Sequence, residues 1–116
     1  MRKVLEDLVF IGEVKETYKV VGHEWTLKTL TSEEQIAATD STRNYDNVSR
    51  INALKTAVLA RSIVELDGIV MKDFRENIEF LGTISQPIID LVYDKYLELQ
   101  KKQDEELKSV DEDLKN

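Results

Sequence analysis

His23 is the chain's single histidine, and cysteine is absent. That inventory removes a His-only metal site, a His–His acid–base pair, a thiolate nucleophile, a disulfide and any zinc–thiolate or iron–sulfur centre. A lone imidazole acting as a general base needs a nucleophile or electrophile within hydrogen-bond reach, and no spacing around Gly22-His23 marks one. His23 is therefore expected to be an ordinary exposed turn residue. Asp104-Glu105-Glu106 and Asp111-Glu112-Asp113 would ligate a cation only if the backbone folded round them. With Lys101, Lys102 and Lys108 interleaved, they read instead as a solvated helix face. The four glycines are isolated, so no phosphate-cradling loop is present, and no Gly-x-Ser-x-Gly, HExxH or P-loop pattern occurs. The expectation is a non-enzyme with no catalytic residue, no cofactor and no metal site; the weaker alternative is a small acidic regulatory binding protein using His23 or the acidic tail.

At 116 residues with 41% hydrophobic content the chain has the material for one ordinary core. Twenty-three acidic against 16 basic side chains leave a formal charge of -7, so the average surface repels phosphate. Arg43, Arg50, Lys55 and Arg61 are scattered and have no interleaved aromatic platform. Nucleic acid and anionic membrane are thus not expected as partners. The longest apolar runs, such as Leu8 to Ile11, fall far short of the roughly 20 residues that span a bilayer. Glu6 and Asp7 interrupt what would have to be the apolar region of a signal peptide, which points to a cytoplasmic protein.

The elements come next. Val14 to Val21 and Glu24 to Leu30 are rich in Val, Thr, Tyr and Trp and flank Gly22-His23, which predicts a β-hairpin turning at that pair. Such a hairpin is marginal alone and must pack on helices or pair with another chain. The segment from Val4 to Ile11 fits either a strand or a short helix. Thr31 with Glu34 three residues on predicts a capping box opening a helix over Ser32 to Thr39, and the polar run from Asp40 to Asn47 predicts a loop. Val48, Ile51, Leu54, Val58, Leu59, Ile63 and Leu66 recur with helical spacing and predict a central helix over Asn47 to Leu66, stopped by Gly68. Phe74, Ile78 and Leu81 mark a third helix over Met71 to Leu81. Ser85 and Pro87 open a last one, Gln86 to about Lys108.

The fold expected is α+β and mainly α: an N-terminal hairpin on a small helical bundle, forming one domain over 1–100 with a charged helical extension over 101–116. Its core is expected at Trp25, Leu27, Ile51, Leu54, Val58, Ile63, Phe74, Ile78, Leu81, Ile89 and Val92. Trp25 reads as a core anchor in preference to an interface hot spot. Along the last helix the apolar seam thins to Tyr93, Tyr96, Gln100, Gln103, Leu107 and Val110 at steps of three and four. These six are the candidate partner-binding residues, for another protein or for self-association. The alternative is a solvated helix held by pairs such as Glu98 with Lys101 or Lys102, and Tyr93 and Tyr96 suit core packing as well as partner contact.

The hairpin Tyr18-Lys19-Val20-Val21-Gly22-His23-Glu24-Trp25-Thr26-Leu27-Lys28-Thr29-Leu30-Thr31, entering an acidic capped helix, resembles the opening of phage tail assembly chaperones and related small tail or baseplate-hub proteins. The stretch Leu54 to Gly68 is similar to their Leu-Ala-Arg-x-Ile-x-x-x-Asp-Gly segment, and the likeness runs over roughly residues 14 to 100. The resemblance implies a protein of the infected bacterial cytoplasm that holds another tail protein until polymerisation, without cofactor or catalytic residues. A structural component of the virion tail or baseplate hub is the alternative.

Overall fold

The computed structural model describes residues 12–115, with side chains over 12–111, so the segment from Val4 to Ile11 lies outside the described residues. Strands β1 (Lys15–Val20) and β2 (His23–Lys28) form the expected hairpin. Val20 pairs with His23, so the turn is Val21-Gly22, one residue earlier than the expected Gly22-His23. Both turn residues have positive φ, 52° and 79°, the backbone that matches the twist of the flanking strands. His23 is accordingly the first residue of a strand.

The Thr31–Glu34 capping box forms as expected. Thr31 Oγ1 accepts from the Glu34 amide at 3.2 Å, and the Glu34 carboxylate accepts from the Thr31 amide at 3.0 Å, opening α1 (Ser32–Asp40). Asp46 caps α2 (Asn47–Ser62) through the Ser49 amide at 2.8 Å. Here the chain departs from the periodic expectation. The helix ends at Ser62, and Ile63–Leu66 is strand β3, paired antiparallel with β2. Trp25 faces Leu66, Thr26 faces Glu65 and Leu27 faces Ile63, with a bulge between. The apolar spacing that reads as helix to Leu66 carries β-branched Ile63 and Val64, which suit a pleated ladder equally well. Gly68 is therefore no helix stop. Asp67 and Gly68, at φ 52° and 82°, turn the chain into β4 (Ile69–Val70), completing a four-stranded antiparallel sheet in the order β1-β2-β3-β4.

Asp73 caps α3 (Phe74–Gly82), which starts three residues later than expected. The Ser85 carbonyl accepts from the Ile88 and Ile89 amides to begin α4 (Gln86–Lys115). That helix has 30 residues and runs beyond the expected end at Lys108; at 1.5 Å per residue it spans about 45 Å. It lies across the inner face of the sheet beside α2. The core is built from Trp25, Leu27, Val58, Leu59, Ile63, Leu81, Ile89, Val92, Tyr96 and Leu99. Leu54 is half-buried against it. Ile51, Phe74 and Ile78, expected inside, are exposed: Ile51 lies on the N-terminal half of α2, which is exposed from Asn47 to Asn52, Phe74 is the first residue of α3 and has the Arg61 guanidinium over its ring, and Ile78 opens onto a groove beside α2. The fold class is α+β, mainly α, as read from the sequence.

Candidate partner-binding site

The six residues singled out on the last helix separate into three groups. Tyr96 belongs to the core. It is 2% exposed, and its hydroxyl accepts from Gln35 Nε2 at 3.1 Å, tying α4 to α1. Burial, reinforced by Tyr93, pushes its pKa up to about 12, so the phenol stays a neutral partner for that amide. Tyr93 is half-buried, with its ring centroid 5.9 Å from that of Tyr96 and the Lys55 ammonium 5.8 Å away over its face. Lys55 also bonds Asp90 at 3.0 Å, which leaves this part of the seam engaged within the chain.

Gln100 is half-buried, and Gln103 acts as a clasp. Gln103 Nε2 donates to Thr29 Oγ1 at 3.2 Å and to the Gly12 carbonyl, while Thr29 Oγ1 accepts from the Val14 amide at 3.0 Å. Beside it Lys102 bonds Glu16 on β1. The ion pairs expected from Glu98 to Lys101 or Lys102 are replaced by Lys95–Glu98 at 3.4 Å and by this Lys102–Glu16 pair. The helix is thus anchored to the hairpin through Gln103. Leu107 and Val110, at 39% and 36% exposure, are the members of the seam that remain on the surface.

A second apolar surface escapes sequence reasoning. Val48 is 79% exposed and Ile51 61%, with Tyr45 half-exposed just before them. They occupy the N-terminal half of α2, whose residues are exposed on every side from Asn47 to Asn52. Periodicity puts Val48 and Ile51 on one stripe with the buried Val58 and so predicts Ile51 in the core; it cannot see that the covering elements stop short. Next to them Tyr45, Ser49, Asn52, Thr56, Ile78 and Gln86 line a groove of about 480 Å³. A larger cleft of about 570 Å³ lies between the sheet, α1 and α3. Two of its four cations are engaged: Lys28 bonds Glu34 at 2.9 and 3.0 Å, and Arg61 sits 4.9 Å over the Phe74 ring. Burial pushes the Glu34 carboxyl up, but the Thr31 amide and the Lys28 ammonium outweigh it and hold its pKa below the usual carboxylate range.

Among the described residues no three His, Asp or Glu side chains converge as a metal site, and no helix is long and apolar enough to cross a membrane. The arrangement defines a small α+β domain with uncovered apolar surface on α2. Comparison with protein-family models, with curated proteins and with solved structures gives no match.

Proposed function

We propose that this chain is a non-enzymatic assembly protein of a bacteriophage tail, which binds another tail or baseplate protein and keeps apolar surface of that protein covered until it polymerises. The observation that carries the reading is the exposed trio Tyr45, Val48 and Ile51, the last two on the end of α2 that projects from an already closed core and Tyr45 just before it. Uncovered apolar residues grouped in this way mark interaction surfaces, whereas scattered ones do not. An amphipathic segment of the bound protein laid along α2 would bury them in the helix-in-groove manner. The setting in the infected host cytoplasm comes from the resemblance of residues 14 to 100 to tail assembly chaperones.

Co-expression with the tail proteins of the same phage tests this. The expected outcome is a rise in the soluble fraction of one of them with the wild-type chain and none with Val48→Asp combined with Ile51→Asp, a change to exposed residues that leaves the fold intact. No solubilised tail protein, or equal rescue by the double variant, removes the reading. Mass spectrometry of purified particles separates the two roles: a transient chaperone is absent, and a structural component is present at fixed copy number.

A further inference from the structure

Among the described residues, the order β1-β2-β3-β4 leaves β1 as an outer strand of six residues. The Thr29 amide donates to the Val14 carbonyl at 2.9 Å, which sets the alternation along the strand. Backbone groups of Val14, Glu16, Tyr18 and Val20 face β2, and those of Lys15, Thr17 and Lys19 point away from the sheet. These three residues are exposed. An edge of this kind is a template for a further strand.

We propose that the β1 edge pairs with the β1 edge of a second copy of this chain, antiparallel about a two-fold axis at Glu16, joining two sheets into one of eight strands. The charges select that register. Lysines on an edge ordinarily guard it, and with the axis at Thr17 they do so here, because Lys15 would face Lys19 of the second copy. With the axis at Lys15, the two Lys15 side chains would face each other. Moving the axis to Glu16 places Glu13 opposite Lys19 on both sides and Lys15 opposite Thr17. On the inner face it places Val14, which is buried, opposite Tyr18, which is half-buried. Opposite charges and an aromatic next to a β-branched side chain are favourable cross-strand pairs. The two Glu16 carboxylates at the axis arrive already paired with Lys102. Lys15 lies opposite Lys28 within the hairpin, and Lys28 turns to Glu34, so among the described residues Lys15 keeps outward backbone groups and a side chain to place beside a new strand. Past Lys19, the edge meets a groove of about 330 Å³ formed by residues that include Val20, Val21 and Leu91.

The inference is independent of the α2 surface and is tested on the full chain. Since the protein has no cysteine, a single engineered one reports one contact. Under mild oxidation Glu16→Cys is expected to form a disulfide-linked dimer, because a residue on the axis meets itself, and Thr17→Cys is not. In sedimentation equilibrium, Glu13→Lys and Lys19→Glu singly should each weaken the wild-type dimer by about tenfold, and the double variant should restore it. Within one chain these two positions are about 20 Å apart at the strand rise, so the rescue cannot be intramolecular. A wild-type chain that stays monomeric into the millimolar range overturns the proposal. So does a dimer that cross-links at Thr17→Cys in preference to Glu16→Cys, or one indifferent to the charge swap.

Discussion

His23 Nδ1 lies 2.6 Å from Asp67 Oδ2, and the other oxygen of the same carboxylate accepts from the Glu24 amide at 2.7 Å. Two residues 44 positions apart are thereby joined, and the Asp67 amide returns a bond to the Glu24 carbonyl at 2.8 Å. The clasp fixes the turn between β3 and β4 to the start of β2. The Glu24 amide first, and the His23 ring after it, hold the Asp67 carboxyl below its ordinary pKa. A carboxyl with a depressed folded-state pKa contributes stability that is present above its unfolded value and lost as pH falls through the folded one. Asp67→Asn is therefore expected to lower Tm at neutral pH, with the gap from wild type closing as pH drops below about 4. A gap that is constant with pH would show that the carboxylate charge plays no part.

Val21 carries a β-branched side chain at φ 52°, a conformation that Asn and Gly adopt with far less strain. Val21→Asn should raise stability by about 1 kcal/mol, read from the midpoint of chemical denaturation. An unchanged or lower midpoint would mean that Val21 makes compensating contacts in the folded state.

Asn77 is buried, and its amide donates to the Ala60 carbonyl at 2.9 Å and to the Met71 carbonyl at 3.0 Å. It ties α3 to the end of α2 and to the exit from β4. Asn77→Leu conserves bulk but strands those carbonyls, with an expected cost of about 1–3 kcal/mol. Thermal unfolding that matches wild type would rule this role out.

Leu59 and Ile51 belong to one apolar stripe in the sequence, yet Leu59 is fully buried and Ile51 exposed. Leu59→Ala should cost about 2–5 kcal/mol. Ile51→Ala should change stability by less than about 0.5 kcal/mol. Equal losses in urea titrations would place both in the core and dismiss the projecting half of α2.

Where α4 is cut decides what the cut reports. Removal of 105–116 spares the clasp of Lys102 and Gln103 on the hairpin, and Tm should hold. Removal of 101–116 takes that clasp away and should lower stability by about 1 kcal/mol or more. Two truncations with the same Tm would mean that the clasp is energetically silent.

Local chemistry is what the sequence determined by itself. A Thr with Glu three residues on can satisfy reciprocal amides only at a helix start, and Ser85 with Pro87 opens α4 for equally local reasons. The β1–β2 hairpin follows from two β-rich arms meeting at a glycine. Tertiary structure decided the rest, wherever the partner of a residue is remote in the chain. Ile63 to Leu66 continue a helical apolar pattern and leave the helix because β2 offers them backbone hydrogen bonds and a place beside Trp25 and Leu27. Val48 and Ile51 share the spacing of buried Val58 and stand in solvent because none of the described elements reaches them. Periodicity tells which side chains share a face; burial depends on how far the facing elements extend, and that is settled only when the chain is folded.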